Sequence, residues 1–437
     1  MNRLSLSPRV PAVVVSAVLL ATNLASAGPA LAAGPASGLV CTAGAPTFTL
    51  HATVGTVGIP DGNTITMWSY TADGAGSFQL PGPTLCVDAG QPVSVTLVDD
   101  LTEDVSIVFT GQSGVLADGA PAQPQFSGPL LTSLVQPAPA GGGTVTYTFT
   151  PTKPGTYIYE SGTDPSKQIQ MGLYGALIVR PAGHPAWAYD DPTLDPATGN
   201  PRTQFNPNAE FMLLLSEVDP DLHQAVERGL PYDWTAYHPR YWMINGRSFP
   251  DTIAPNAATW LPNQPYSALI HIPVKTAAGD PPALLRYLNV GTRNHPFHPH
   301  GQNALVLGRD GRELIGAGGE DLSYQKFTIL VGAGQTVDST YEFSDVEMWQ
   351  PDTNPIPVTL PQLQNLTFKG AATWYAGSPY LGVQDELPTG VTSYNQCGEF
   401  YHVAHSHALD EAANYDAGFG GMLTLIRIDP PKPNTCS

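Results

Sequence analysis

Cysteine is scarce in this sequence, with 4 among 437 residues and no Cys-x-x-Cys pair. This scarcity argues against zinc–thiolate clusters and dithiol redox motifs, so a metal site here has to be built without a free thiolate. In an oxidising compartment an even number of cysteines predicts two disulfides, and three pairings exist. The cysteines are Cys41, Cys86, Cys397 and Cys436.

Positive charge is also scarce. The chain carries 18 Lys+Arg against 37 Asp+Glu, and only 13% of its residues are charged. Such an excess of negative charge makes nucleic acids and anionic lipid surfaces poor binding partners. We therefore expect no nucleic-acid partner and no association with membranes.

Long apolar runs are missing except near the N-terminus. There, a basic start leads into an apolar run over residues 10–20, and small-residue cleavage sites follow at Ala27 and Ala32. This layout is typical of a secretory signal peptide, and the run is shorter than the roughly 20 residues that cross a bilayer. We predict a signal peptide over residues 1–32, cleaved after Ala27 or Ala32, and a secreted, extracytoplasmic mature chain.

Glycine and proline, by contrast, are abundant, with 44 of each. This composition indicates a turn-rich, all-β protein. The alternation of apolar and polar residues predicts strands, and one short amphipathic stretch predicts a helix. The predicted strands include residues 93–97, 145–149, 283–290 and 420–428, and the helix lies within 217–229.

The chain also repeats itself at long range. "VDDLTEDVSIVFTGQ" (98–112) and "LNVGTRNHPFHPHGQ" (288–302) both run a strand into a loop that ends in Gly-Gln, and the ends of the two halves match as well. The alignment sets Val108 against His298, Thr110 against His300, and Glu160-Ser161-Gly162 against His405-Ser406-His407. The repeat predicts two β-rich domains with one plan.

We place these domains at residues 38–182 and 209–437. The Pro- and Asp-rich stretch 183–208 between them is predicted as a linker. The mature length of about 400 residues suffices for two or three domains. The second domain carries an insertion at about 345–395, and a third small domain there or within 209–265 is the alternative.

Histidines distinguish the second domain from the first. Residues two apart on a strand share a face, so His298 with His300, and His405 with His407, form two bidentate pairs. Imidazole is a ligand for copper, zinc, nickel and iron. Two such pairs at corresponding strand ends predict a metal site, with flanking His295 and His402 as weaker candidates. The other histidines are interpreted as structural or surface residues: His51, His184, His223, His238 and His271.

"HPFHPHG" (295–301) and "YHVAHSH" (401–407) resemble segments of the multicopper oxidases, a laccase-like family. The similarity covers nearly the whole mature chain, including "PGPTLCVDAGQPVSVTLVDDL", "GTYIYES", "GLYGALIVRP" and "INGRSFPDT". The resemblance implies an all-β fold of two, or with the alternative above three, cupredoxin-like Greek-key β-sandwich domains.

In that family a mononuclear blue copper takes electrons from the substrate, and a trinuclear copper cluster reduces dioxygen to water. The resemblance implies copper as the metal, with zinc as the alternative, and a small-molecule substrate together with dioxygen. It also implies a homotrimer, by analogy with two-domain members. Carried over by position, His295 matches the blue-copper histidine, His298 a type-2 ligand, and His300, His405 and His407 type-3 ligands.

The sequence departs from this pattern at the blue-copper position. Ser406 stands where the family has cysteine, Glu411 where it has the next histidine, and Met422 lies too far along for the usual axial spacing. A serine hydroxyl cannot replace the thiolate, which is also the usual electron path to the cluster. The first-domain histidine pairs are replaced as well, by Val108 and Thr110 and by Glu160 and Gly162.

These departures leave three hypotheses for the function. The leading one is a non-canonical copper-dependent oxidase whose substrate reaches the metal directly. In it Glu160, Glu411 and Asp410 are candidate proton shuttles, and Glu160 is also a candidate oxygen ligand. The second is non-catalytic extracellular binding of copper or zinc. The third is a pseudo-oxidase kept as a structural module.

Overall fold

The structure is a computed structural model that describes residues 37–72, 78–344, 367–368, 374–375, 400–415 and 420–429. The predicted signal peptide and most of the predicted insertion lie outside these residues. The described part is mostly β-structure, which confirms the predicted fold class.

The first half of the chain forms a sandwich of two sheets. One has six strands in the order β2-β1-β4-β10-β6-β7, and the other has four in the order β3-β12-β11-β5. A hairpin, β8–β9, stands apart. The strands are β1 (Thr47–Gly58), β2 (Thr64–Ala72), β3 (Leu85–Asp88), β4 (Val93–Asp99), β5 (Val108–Phe109), β6 (Leu116–Ala117), β7 (Ala120–Pro121), β8 (Gln125–Ser127), β9 (Leu130–Ser133), β10 (Gly143–Phe149), β11 (Gly155–Glu160) and β12 (Tyr174–Arg180).

The second half repeats this plan. A seven-stranded sheet has the order β14-β13-β16-β22-β18-β19, with β20 paired to β18, and a five-stranded sheet has the order β15-β26-β25-β17-β21. The strands are β13 (Glu210–Val218), β14 (Tyr241–Ile244), β15 (Ile270–Pro273), β16 (Ala283–Asn289), β17 (His295–Pro299), β18 (Ala304–Arg309), β19 (Arg312–Glu313), β20 (Tyr324–Lys326), β21 (Ile329–Val331), β22 (Thr336–Tyr341), β23 (Thr367–Phe368), β24 (Trp374–Tyr375), β25 (Phe400–Ser406) and β26 (Leu423–Asp429).

The predicted strands are confirmed as β4, β10, β16 and β26, and alternation explains their burial. Along β4 the side chains of Val93, Val95 and Leu97 are buried in the core between the two sheets, and those between them are less buried. The division into domains stays a prediction. Each sandwich lies within one predicted range, and residues 209–265 contribute β13 and β14 to the second sandwich.

Helices are short in the described residues. They are α1 (Pro165–Met171), α2 (Pro220–Glu227) and three 3-10 turns, Trp234–Ala236, Asp251–Ile253 and Leu409–Ala412. Helix α2 confirms the predicted helix. It begins where the Asp219 side chain accepts the backbone N–H of Asp221 and Leu222, with proline at the first helical position. No helix in the described part of the chain is long and apolar enough to cross a membrane.

The two sandwiches pack through an apolar layer and a buried ionic cluster. Ile158 and Ala176 of the first sandwich share one core cluster with Met212 and Leu214 of the second. Beside this layer, the fully buried Arg286 donates to Glu210 Oε1 at 2.7 Å and lies 3.4 Å from Asp338 Oδ1. From the first sandwich, the Thr156 hydroxyl donates to the same Asp338 oxygen at 2.6 Å.

The predicted linker is packed onto the second sandwich. Ala188, Tyr189 and Phe205 are buried against Leu284 and Leu307. The Tyr189 hydroxyl also donates to Asp338 Oδ2 at 2.6 Å. The segment therefore contributes to the core of the second sandwich as well as connecting the two halves.

One disulfide joins Cys41 to Cys86, which lies on β3. The Cys41–Cys86 bond occurs in one of the three possible pairings of the four cysteines. Cys397 and Cys436 lie outside the described residues.

We expect Arg286→Ala to destabilise the protein by roughly 3–5 kcal/mol, because it leaves the buried Asp338 carboxylate without its cation and Glu210 with Arg180 alone. Urea unfolding at neutral pH measures the change. The control is Arg228→Ala, which removes an exposed arginine and should change stability by about 0.5 kcal/mol or less. Equal small losses in both variants would contradict the ionic cluster as a structural link.

Candidate metal centre

Four histidines meet on the outer face of the five-stranded sheet. We call His298, His300, His405 and His407 the histidine quartet. Strand β17 pairs antiparallel with β25 so that His298 lies opposite His405. Alternation then turns His300 and His407 to the same face. Ring centroids lie 4.6 Å apart for His298–His300, 5.1 Å for His298–His407 and 5.2 Å for His300–His405.

The spacing of two quartet nitrogens fits a metal ion. His300 Nε2 and His405 Nε2 are 3.1 Å apart. Two nitrogens bound to one ion at about 2.0–2.1 Å, at about a right angle, lie about 3 Å from each other. His405 Nδ1 donates its hydrogen to the Ser406 carbonyl oxygen at 2.7 Å, so its Nε2 carries a lone pair, which accepts the hydrogen bond from His300 Nε2 in the metal-free protein. Metal-binding histidines are commonly oriented in this way.

Burial favours the neutral form of three of these imidazoles, those of His298, His300 and His405. Burial, reinforced by the neighbouring histidines, lowers the pKa of His300 to about 4. Burial also lowers the pKa of His298 and of His405. Neutral rings repel each other less and offer lone pairs to a cation. The quartet is therefore suited to bind a metal at neutral pH.

The quartet as it stands is a two-nitrogen clamp. Among the described residues no group of three or more histidine, cysteine, aspartate or glutamate side chains is arranged to hold a metal ion. His298 Nδ1 is hydrogen-bonded to Thr328 Oγ1 at 2.8 Å, and His407 is exposed. A third ligand requires rotation of one of these rings, or a group from outside.

His402 lies beside the quartet with its ring stacked on Phe343, at 5.3 Å between centroids and 10° between planes. Gly301, with φ +96°, leaves room for this ring, since a Cβ there would come within 2.9 Å of His402 Nε2. The structure thus places His402 against the aromatic core residue Phe343, and its role as a metal ligand stays a prediction.

His295 lies on the other face of β17, inside the sandwich. Its ring is fully buried, and Nδ1 donates to Glu411 Oε2 at 2.8 Å. Ser406 Oγ donates to the same carboxylate oxygen. On the far side of the ring, Glu217 Oε2 lies 3.4 Å from His295 Nε2, an ion pair without hydrogen-bond geometry. The three residues matched to the blue-copper position are thus joined by a carboxylate, and His295 is separated from the quartet.

These carboxylates control the charge of His295. Burial lowers its pKa, but Glu217 and Glu411 outweigh this effect and raise the pKa to about 9. Burial also opposes ionisation of Glu217, yet the His295 cation and the hydrogen bonds from Thr292 hold its pKa below the usual value. His295 is therefore a buried cation at neutral pH.

The backbone of Met422 lies beside the end of β25. Ser406 N donates to the Met422 carbonyl oxygen at 3.0 Å, and Met422 N donates to the Glu411 carbonyl oxygen at 2.7 Å. Gly420 N bonds the Ala412 carbonyl oxygen at 3.1 Å. These are main-chain contacts, so the absence of an axial Met422 ligand stays a prediction.

The first sandwich repeats the geometry without the histidines. Thr110 N donates to the Ile158 carbonyl oxygen at 3.1 Å, as His300 N donates to that of Val403 at 3.0 Å. Val108 lies opposite Glu160, as His298 lies opposite His405. The internal alignment made from the sequence therefore matches the strand register.

The predicted carboxylates do not gather at the quartet. Glu160 ends β11 in the first sandwich, where burial raises its pKa to about 7, and no described contact joins it to the quartet. Asp410 is largely exposed and lies 3.6 Å from Arg293. Glu411 faces inward, to His295. Glu217 was not predicted as a site residue. An acidic residue within the apolar strand "EFMLLLSEV" is nevertheless a visible sign of a buried polar contact.

Comparisons with known proteins agree with the fold. A family model described as multicopper oxidase matches residues 75–184. L-ascorbate oxidase of Cucurbita maxima is 29% identical over 67% of this chain and 48% of its own length. That of Cucurbita pepo var. melopepo is 33% identical over 39% of this chain and 26% of its own. The chain spans about half or less of the length of these relatives.

Two solved structures extend the likeness to most of the chain. A blue copper oxidase from Nitrosomonas europaea has a TM-score of 0.54 and 19% identity, covering 88% of this chain and 85% of that one. The multicopper oxidase mgLAC has a TM-score of 0.52 and 17% identity, with coverages of 89% and 87%. These structures define the class of fold as cupredoxin-like. The family model over residues 75–184 and the ascorbate oxidase relatives support a place in the multicopper oxidase superfamily.

The His295 cation predicts a pH dependence of stability. Its pKa is raised above the unfolded value, so its stabilising contribution, about 3 kcal/mol, is complete below pH ~6.5 and is lost as pH rises through about 9. We expect the stability difference between the native protein and His295→Asn to shrink across this interval. Urea unfolding from pH 6 to pH 10 measures it, and a difference that stays constant with pH would exclude a charged His295.

Proposed function

We propose that this chain is a secreted copper-dependent oxidoreductase that works without blue copper, at the histidine quartet. The observation that carries the proposal is the contrast between the two faces of β25. On the outer face His300 and His405 hold their Nε2 atoms 3.1 Å apart, the spacing of two ligands on one ion. On the inner face the Ser406 hydroxyl and His295 are both bonded to the Glu411 carboxylate.

The chain's residues would act at the quartet as follows. His300 and His405 bind the ion, and rotation of His298 or His407 completes its coordination. Copper bound there would supply one-electron redox chemistry and reactivity toward dioxygen. The surrounding protein keeps the imidazoles neutral and fixes the His405 ring through the Ser406 carbonyl. Because no thiolate relay leads to this site, the substrate, a small molecule, has to reach the quartet directly.

Within one chain, no described contact joins the first sandwich to the quartet. In an assembly, the first sandwich of a neighbouring chain would cover the open face of the quartet. We propose a homotrimer in which the Glu160 end of one chain covers the quartet of the next. Both surfaces carry exposed apolar side chains, Leu130 and Phe126 on the β8–β9 hairpin and Phe327 beside His298. A head-to-tail contact of this kind forms a closed ring when its rotation closes. With a pKa near 7, Glu160 could then exchange a proton at the site.

Copper binding is the first test of the proposal. We expect the native protein to bind Cu(II) with a type-2 electron paramagnetic resonance signal and no intense blue absorption, because a thiolate ligand is missing. His405→Ala should weaken Cu(II) binding at least about tenfold, since it removes half of the clamp. His51→Ala, which removes a histidine in the first sandwich, is the control and should bind normally.

The outcomes separate the hypotheses. Oxidation of a phenol or small amine with consumption of dioxygen, lost in His405→Ala, supports the oxidase. Stoichiometric copper or zinc without turnover leaves the metal-binding alternative, and a protein that binds neither ion leaves the structural module. An intense blue band would contradict the proposal altogether.

Assembly has its own test. We expect light scattering of the native protein to give three times the mass of the mature chain. Leu130→Asp should shift this mass toward that of the monomer, because it places a charge in the apolar contact. Leu230→Asp changes another exposed leucine, which follows helix α2, and should leave the mass unchanged. A monomeric native protein would refute the trimer.

A further inference from the structure

The Glu411 carboxylate lies at the junction of the two strands that carry the quartet. It accepts from His295 on β17, at 2.8 Å, and from Ser406 on β25 through the same oxygen. All three side chains are buried. Charge-assisted bonds in such surroundings are among the stronger polar contacts in proteins.

The backbone of Glu411 adds a second tie to β25. Its carbonyl oxygen accepts Met422 N, and the Met422 carbonyl oxygen accepts Ser406 N. The fit is close, because a Cβ on Gly421 would come within 2.3 Å of the Glu411 carbonyl oxygen. Ser406 is therefore held through its side chain directly and through its amide by way of Met422.

Because Ser406 is held in place, the histidines of the quartet are held in their orientation as well. Since neighbouring side chains on a strand point to opposite faces, an inward Ser406 turns His405 outward, and the bend after β25 is held by His407 N donating to the Pro296 carbonyl oxygen at 2.8 Å. On the facing strand, His295 is bonded inward and His298 points outward.

We propose that Glu411 is a positioning residue for the metal site. It clamps β17 to β25 from inside the sandwich and so holds the quartet nitrogens at the separation that a metal ion needs. This role replaces its earlier assignment as a proton shuttle. The proposal rests on the proposed function for the identity of the ion, and the clamp itself also exists in the metal-free protein.

Glu217 provides a matched control. It is a second buried carboxylate on the same His295 ring, but it is anchored to Thr292 and makes no described bond to β25. Glu411→Gln and Glu217→Gln each remove one charge beside His295. Only Glu411→Gln weakens the link to Ser406. Ser406→Ala cuts that link alone and serves as a second variant, should Glu411→Gln fail to fold.

The first measurement is hydrogen exchange in the metal-free protein. Glu411→Gln should speed exchange of the His300 and His407 amides at least about tenfold relative to the Leu284 amide, which bonds Ala209 in the other sheet. Ser406→Ala should act in the same direction. Glu217→Gln should leave this ratio within about threefold, even where it lowers global stability.

The second measurement is Cu(II) affinity by competition titration, together with the copper hyperfine coupling. We expect Glu411→Gln to weaken binding about 10–100-fold and to alter the coupling, with little change in Glu217→Gln. Equal effects of the two variants on exchange and binding, or no effect of Glu411→Gln, would overturn the clamp. Native protein that binds no copper but shows the exchange pattern would refute the proposed function and leave the clamp standing.

Discussion

The site depends on the antiparallel pairing of β17 with β25. With His298 opposite His405, two His-x-His pairs share one face of the sheet, and His300 Nε2 lies 3.1 Å from His405 Nε2. A shift of one residue in this register would turn one pair into the core. The backbone ladder thus assembles the quartet, and the polar contacts around it adjust ring orientation.

The same pairing gives the two faces of the sheet different chemistry. The outer face presents the imidazoles of His300 and His405, which are neutral because burial and neighbouring rings lower their pKa. The inner face holds a protonated imidazole between two carboxylates, which raise the pKa of His295 to about 9. A buried cation with these partners excludes a second cation at the same point. At the position that the sequence matches to the blue-copper histidine, the structure has an ion pair of His295 with Glu411 and Glu217.

Much of this was predictable from the sequence. The alternation of apolar and polar residues predicted β4 and β10, and the His-x-His spacing predicted the quartet. The internal repeat aligned Val108 with His298, and the strand register of the two sandwiches agrees with that alignment. The rest could not be predicted, because it depends on contacts between distant segments. Glu217 on β13 lies beside His295, and Ser406 N is hydrogen-bonded to the Met422 carbonyl oxygen. Whether Glu411 faced the metal or the core depended on the turn at Leu409–Ala412, for which spacing carries no signal.

The most direct test of this account is anomalous diffraction at the copper edge from crystals soaked in Cu(II). The account predicts a peak on the outer face of β25, bonded to Nε2 of His300 and of His405, and no peak between Ser406 and His295. A peak at the inner position, with Glu411 displaced from His295, would contradict it, and so would an outer face that stays empty at saturating copper.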